Sequence, residues 1–184
     1  TMLVEGRRLR PGLSLAAANL FALPFHETLD YITCLFDSLN FLLEEEDVQR
    51  AMHECAQALR PGGLFYFDIV TERMVTEHFE NQSWTENNGG FSTTWTSRYD
   101  RNTGIAATDL RINTGPSTTL YERIYPTALF EEALHNAGLT LLYHYDVDSG
   151  RAPGRRTVRI DFLAAKEPSR ECLKAVKRLR RELA

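Results

Sequence analysis

Cysteine is scarce in this sequence, and its scarcity limits both the compartment and the kind of site. The 184 residues include three cysteines, Cys34, Cys55 and Cys172, which are widely spaced and form no CxxC pattern. An odd, dispersed set predicts neither a disulfide framework nor a zinc site and favours a reducing compartment, so we expect a cytoplasmic protein. The five histidines are also scattered without metal-ligand spacing, so no metal is expected.

Long apolar runs and an excess of positive charge are absent as well. No apolar run approaches the roughly 18 residues that a membrane span needs, and no signal-peptide pattern opens the sequence. Twenty-one basic and 25 acidic residues give a net charge of -4, so no global field favours nucleic acid or an anionic membrane as a partner. The tail from Pro168 predicts a basic amphipathic helix that docks through its apolar face, which contains Cys172, Leu173, Val176, Leu179 and Leu183.

The first half of the sequence has the alternation of apolar strands and amphipathic helices that is typical of an α/β fold. The first ten residues, TMLVEGRRLR, predict a short helix, and LSLAAA (13–18) and LDYITCL (29–35) predict strands. A helix from Glu44 carries Val48, Met52, Cys55 and Leu59 on one face, Pro61-Gly62-Gly63 ends it, and LFYFDIV (64–70) predicts the next strand. This strand–helix–strand order predicts parallel pairing with a right-handed crossover.

The middle of the chain changes character and predicts an antiparallel insert. Residues 81–125 are rich in Thr, Ser, Asn and Gly and alternate in runs such as FSTTWTSRY. A helix capped by Thr127 and closed by Gly138 follows, and then two strands, LTLLYHYDV and TVRIDFLAA. We therefore divide the chain into a core (1–80 and 126–166), an insert that caps the substrate (81–125) and a C-terminal helix (167–184).

The ends of three predicted strands carry polar residues, at Asn19, in the 34–40 segment and at Asp68. In open parallel sheets, ligands bind beyond the carboxyl ends of the strands. Each residue also has a plain structural interpretation, because Asn19 could start a turn, Asp37 could cap the next helix and Asp68 could be a satisfied strand residue. Three such residues at successive strand ends favour a binding site for a small molecule.

The ordered series NLFALPF, LDYITCLFDSLNFL and LRPGGLFYFDI resembles the central part of class I S-adenosylmethionine-dependent methyltransferases. ERIYPTALFEEALHNAGL and VRIDFLAAKE are similar to that family's later helix and last strand. The antiparallel insert is similar to the small-molecule subgroup that includes amino-sugar and glycine-type N-methyltransferases. The resemblance implies a Rossmann-like fold and an enzyme that transfers a methyl group from S-adenosylmethionine to a small-molecule acceptor, at nitrogen or oxygen.

The resemblance also implies roles for individual residues. Asn19 matches the residue that meets the adenine amino group, and Leu20 matches the one whose backbone meets the ring. Cys34, Leu35 and Phe36 match the backbone beside the methionine part of the cofactor.

Candidates for the acceptor side come from the resemblance and from the insert. Asp37 lies where the family's site opens toward the acceptor, and we expect it to orient the acceptor or to serve as the catalytic base. Arg123 would suit an anionic group. Alternating aromatics on an antiparallel sheet also serve packing alone. The candidate substrate-binding residues are Asn40, Trp95, Tyr99, Arg123 and Tyr125.

One departure from the family pattern concerns the cofactor. The family's Gly-rich loop after the first strand and its acidic residue after the second strand are not in this sequence. Gly62-Gly63 and Gly89-Gly90 cannot replace the loop, because neither pair opens a helix after a strand. TMLVEGRRLR matches the helix after the second strand, so we hypothesise that the sequence is part of a longer chain. The structural alternative is direct pairing of strand 13–18 with strand 29–35. The functional alternative is a non-catalytic relative that binds or regulates a partner, and homo-oligomer formation stays open.

Overall fold

The computed structural model describes residues 2–182 and contains two four-stranded sheets with flanking helices. In chain order, the helices are α1 (Met2–Leu9), α2 (Glu45–Ala58), α3 (Glu72–His78), α4 (Thr127–Asn136) and α5 (Arg170–Glu182). The strands are β1 (Leu29–Cys34), β2 (Leu59–Val70), β3 (Ser83–Asn87), β4 (Ser92–Asp100), β5 (Ile105–Ile112), β6 (Ser117–Arg123), β7 (Leu139–Asp146) and β8 (Arg159–Lys166). A short 3-10 helix covers Ser38–Phe41. Position 183 of the predicted tail helix lies outside the described residues.

The first sheet has the strand order β1-β2-β8-β7. β1 and β2 run parallel, with α2 as the connection between them, which confirms the predicted parallel pairing. β8 is antiparallel to both β2 and β7. Because β8 runs against β2, its first residue, Arg159, lies opposite Val70 at the end of β2.

The core lies between one face of this sheet and the helices α2 and α4. Phe67 is fully buried and stacks on Phe162 of the neighbouring strand, with ring centroids 4.7 Å apart. The apolar face predicted for α2 is buried at Val48, Met52 and Cys55. Burial of each large apolar side chain stabilises the fold by roughly 1.5–3 kcal/mol, so this layer holds β2 and α2 in fixed relative positions.

The Pro-Gly-Gly segment differs from its predicted role. Helix α2 ends at Ala58, and Leu59, predicted on the helix, is the first residue of β2. The β1–β2 register shifts between Leu29 and Tyr31, so the segment forms an irregularity inside the ladder. A Cβ on Gly63 would lie 2.9 Å from the Arg60 carbonyl oxygen, so the close approach of backbone requires glycine there.

The prediction of a strand at 13–18 is wrong. That segment is irregular and almost wholly exposed, and Asn19 forms only an isolated bridge with Ala22. Three of its six residues are alanine, which has little preference for strands and adds little apolar area to bury. Within residues 2–182, β1 is an edge strand with β2 as its partner, so the direct pairing of 13–18 with β1 is not observed.

The second sheet is the predicted antiparallel insert, with the order β3-β4-β5-β6. α4 follows it and ends before Gly138, whose φ of 78° suits a residue without a Cβ. Thr127 is the first helical residue and Pro126 precedes it, so the predicted Thr127 cap is wrong. Proline is well suited to a helix start because its missing N–H would have no partner there. Among the described helices, none combines the length and the apolar character needed to cross a membrane.

Candidate active site

Two carboxylates meet where β1 and β2 end. β1 stops at Cys34, and the chain then turns through Phe36 and Asp37, whose φ angles of 59° and 48° are left-handed. The Asp37 backbone N–H donates a hydrogen bond of 3.0 Å to Oδ2 of Asp68 on β2. Parallel pairing puts the two strand ends at one edge of the sheet, and this turn directs the chain back across the end of β2.

Arg159 joins the two carboxylates from the third strand. Its guanidinium contacts Asp37 Oδ1 at 3.2 Å and also donates to Asp68. Burial raises the pKa of the Asp37 carboxyl above its ordinary value, although the charge of Arg159 opposes the shift. Burial alone would lower the pKa of Arg159, but the two carboxylates raise it overall. The three groups therefore form one charged cluster, with two acids sharing one base.

A cavity of about 290 Å³ lies between this cluster and the second sheet. We call it the inter-sheet pocket. Its lining consists of charged groups at one end, apolar residues of β2 and α3, and one face of the antiparallel sheet. The lining residues are Asp37, Val70, Met74, Val75, Phe79, Trp84, Glu86, Trp95, Ala106, Thr108, Leu120, Glu122 and Arg159.

Two tryptophans form an aromatic wall of the inter-sheet pocket. Trp84 on β3 and Trp95 on β4 are directly opposite in the register, and their rings stack with centroids 5.8 Å apart and an interplanar angle of 3°. Phe79 lies against Trp84 at 5.7 Å. The Trp84 indole N–H donates to Glu86 at 3.3 Å, whereas the buried Trp95 indole N–H has no hydrogen-bond partner within residues 2–182.

Glu122 on β6 supplies a further acid to this pocket. It lies opposite Ala106 in the sheet and is half-buried. Burial raises its pKa to about 7; the negative charge of Asp37 adds to the shift and Arg159 opposes it. A carboxyl group with that pKa exchanges a proton readily near neutral pH, which is the property that a general base needs.

The sequence of this chain is similar to those of known proteins. The model of a family described as a methyltransferase domain matches residues 2–67. A protein named as a methyltransferase in Geobacillus sp. (strain WCH70) is 25% identical over 156 residues, which cover 80% of this chain and 63% of that relative. The chain therefore spans less than two thirds of the length of this curated relative.

Solved structures show the same architecture. A S-adenosylmethionine-dependent methyltransferase from Clostridium acetobutylicum superposes with a TM-score of 0.76 at 22% identity, covering 89% of this chain and 70% of that one. This chain has the class I methyltransferase fold. An amino pentose methyltransferase from Micromonospora echinaspora, solved with S-adenosylmethionine bound, superposes with a TM-score of 0.66 at 20% identity, covering 90% of this chain and 70% of that one.

Within this methyltransferase fold, the residues predicted to hold the cofactor lie in two places. Cys34 is the last residue of β1, Leu35 and Phe36 follow it, and Phe36 is 81% exposed. Asn19 is exposed and accepts a hydrogen bond from the Phe21 backbone N–H at 3.0 Å, in a turn and not at a strand end. The predicted rim of three strand ends is therefore formed by two strands, which bring Asp37 and Asp68 together. Asn19 and the half-buried Leu20 remain cofactor-binding predictions.

Of the predicted acceptor residues, Trp95 lines the inter-sheet pocket and the other four lie outside its lining. Tyr99 donates to Glu72, and the buried Tyr125 donates to the Leu42 carbonyl at 2.7 Å. Arg123 donates to the Leu43 carbonyl at 2.8 Å, on the face of β6 opposite to Glu122.

Asn40 is fully buried, and backbone groups use both ends of its amide. The amide nitrogen donates to the Arg123 carbonyl at 2.9 Å, and the amide oxygen accepts from the Val70 N–H at 3.1 Å. These bonds tie the 3-10 helix to the ends of β2 and β6. Asn40 therefore holds the 3-10 helix against these strands, and its part in substrate binding stays a prediction.

Arg159, Trp84 and Glu122 are pocket residues that the sequence analysis did not single out. Trp84 and Glu86 are two residues apart in SWTEN and therefore lie on the same face of β3 as each other. Since Trp84 pairs with Trp95 of β4, knowledge of this register would have placed both residues on the face of Trp95. To predict that Glu122 and not Arg123 lines the pocket, one must know which face of β6 points toward the first sheet. No local signal specifies that face.

Proposed function

We propose that this chain carries out methyl transfer from S-adenosylmethionine to a small molecule held in the inter-sheet pocket, at a nitrogen or oxygen atom. The observation that carries this proposal is the position of Asp37, which ends the β1 turn and also lines the pocket. One residue thus borders both the strand ends, where class I folds place the cofactor, and the space available to an acceptor.

The residues at the strand ends are suited to this cofactor. S-adenosylmethionine has an ammonium group and a sulfonium, and Oδ1 of the buried Asp68 has no hydrogen-bond partner within residues 2–182. A buried carboxylate oxygen without a donor favours a nearby cation. The segment 34–36 and the turn at Asn19 and Leu20 would hold the cofactor, which supplies an electrophilic methyl group when it is bound.

The protein's own part is alignment and exclusion of water. Transfer from a sulfonium is an in-line displacement, so it depends on a fixed approach and a dry pocket more than on strong acid–base chemistry. Val70, Val75 and Ala106 make the floor of the pocket apolar and are themselves buried. Asp37 is held by Arg159, and this fixed carboxylate orients the attacking group of the acceptor.

The test has two stages and uses the intact native protein. Calorimetric titration with S-adenosylmethionine and its demethylated product measures cofactor binding, and we expect one site per chain. Release of the demethylated product, with a panel of small amines and alcohols, then measures turnover. Absence of cofactor binding would overturn the proposal, and binding without turnover of any acceptor would favour a non-catalytic relative.

A matched pair of variants assigns the role of Asp37. Asp37→Asn removes the charge while keeping the shape, and we expect kcat/KM to fall by about 100-fold. Asp148→Asn makes the same change at an exposed position away from the pocket lining and should leave kcat/KM unchanged. Equal activity of the two variants would remove Asp37 from the mechanism.

A further inference from the structure

We infer that the inter-sheet pocket takes an acceptor with a protonatable amine beside a flat apolar group, and that Glu122 receives the proton of that amine. This inference rests on the proposed methyl transfer and specifies its acceptor.

The charged groups of the pocket lining favour a cation. Asp37, Glu86 and Glu122 face the cavity together with a single base, Arg159. That base is already shared between Asp37 and Asp68. An anionic acceptor would therefore meet uncompensated negative charge, while an ammonium group would reduce it.

Glu122 is the acid with no protein donor. Arg159 contacts Asp37, and the Trp84 indole N–H contacts Glu86. Among the described residues, burial and the charges of Asp37 and Arg159 act on the half-buried Glu122 carboxylate, and no residue donates a hydrogen bond to it. A bound ammonium would supply the missing donor, in a charge-assisted hydrogen bond.

The aromatic wall fits the rest of such a ligand. The stacked pair of Trp84 and Trp95 and the neighbouring Phe79 supply aromatic surface to the pocket lining. A planar apolar group can pack against this wall while its amine extends toward the Glu122 carboxylate on β6.

The proton step is a simple transfer. The ammonium nitrogen gives one proton to the Glu122 carboxylate, which leaves a neutral carboxyl group and a neutral amine with its lone pair. This is the nucleophilic form of the amine. The pKa of Glu122, raised to about 7 mainly by burial, makes its carboxylate a better proton acceptor than an ordinary one.

The two tryptophans of the sequence both line this pocket, so tryptophan emission reports on its occupancy. Three probes of one shape are titrated into the intact protein: phenethylamine, 2-phenylethanol and 3-phenylpropionate. We expect the amine to bind roughly tenfold or more tightly than the alcohol, and the carboxylate to bind least. Equal affinity for the amine and the alcohol would overturn the inference without any variant.

Glu122→Gln should lower amine affinity by roughly tenfold and leave alcohol affinity unchanged. Glu132→Gln, at an exposed position, should change neither affinity.

The charged groups that line the pocket with Glu122 are Asp37, Arg159 and Glu86. Amine affinity should fall as the pH drops through about 7 in the native protein, and this dependence should disappear in Glu122→Gln while Asp37 remains.

The outcomes separate this inference from the proposed function. If the demethylated cofactor binds but the protein does not prefer the amine to the alcohol, the proposed methyl transfer is retained and the amine acceptor is refuted. Persistence of the pH dependence in Glu122→Gln would assign the titration to another group and overturn the role of Glu122. Failure of the cofactor product to bind overturns the methyl transfer itself.

Discussion

Replacing Arg159 with methionine tests the charged cluster at the end of the sheet. Arg159 is the base that contacts both Asp37 and Asp68, and the three side chains are 25%, 20% and 7% exposed. Removing one partner of a buried ion pair costs roughly 3–5 kcal/mol. Since two of these side chains keep contact with water, we expect a loss of about 2–3 kcal/mol near neutral pH.

The size and the pH dependence of this loss are both measurable. For a protein of this length, about 2–3 kcal/mol corresponds to a fall in Tm of roughly 4–12 °C. Arg159 stabilises the charged form of Asp37, so its removal raises the pKa of that carboxyl further. The variant's native state then binds more protons in the acidic range than the native state of the unmodified protein. Its deficit should therefore grow as the pH rises through the carboxylate range and shrink as the pH falls.

Urea unfolding at about pH 4 and pH 7.5 provides the assay, and Arg156→Met provides the control. Arg156 is exposed and has no ion-pair partner among the described residues. We expect the control to lie within about 0.5 kcal/mol of the unmodified protein at both pH values. An equal deficit for Arg159→Met at both pH values would show that lost packing, and not charge, explains the effect.

Three further substitutions test the fold around the site, each by its free energy of unfolding in urea. Asn40→Ala leaves two buried backbone groups without partners and should cost about 2–4 kcal/mol. Gly63→Ala puts a Cβ 2.9 Å from the Arg60 carbonyl oxygen and should cost roughly 1–3 kcal/mol through backbone strain. Phe67→Ala removes a fully buried ring between two other strands and should cost about 3–5 kcal/mol.

The same chemical changes at open positions serve as controls. Asn102→Ala and Gly12→Ala lie at exposed sites, and a Cβ on Gly12 meets nothing within 4 Å. Phe91→Ala removes a ring that is 42% exposed. Each control should cost less than about 1 kcal/mol. If a control lowers the free energy of unfolding as much as the matched substitution at the site, the structural reason given for that site is refuted.

Much of the α/β core could be predicted because its signals are local. The spacing of Val48, Met52 and Cys55 identifies the buried face of α2, and the run from Leu64 to Val70 identifies the central strand. The prediction failed at 13–18, where a short apolar run of mostly alanine and leucine has no paired strand. A strand exists only through its neighbours, and a window of six residues does not contain them.

The candidate site was predicted in part for the same reason. Asp37 follows β1 and Asp68 lies near the end of β2, so their meeting could be expected from parallel pairing. Arg159 is 91 residues from Asp68 and carries no local mark of its role. Asn40 stays a substrate-binding prediction, whereas its hydrogen bonds to the Arg123 carbonyl and the Val70 N–H could not be predicted, because both partners are distant in the chain.

Most helices and strands could be located from the sequence, because hydrophobic periodicity is a property of neighbouring residues. The position of β8 beside the end of β2, and the choice of Glu122 over Arg123 to face the inter-sheet pocket, depend on the folded chain. Side chains alternate along a strand, so the choice of face depends on how one sheet packs against another. That packing is a property of the whole chain, and it selects the charges that a bound molecule would meet.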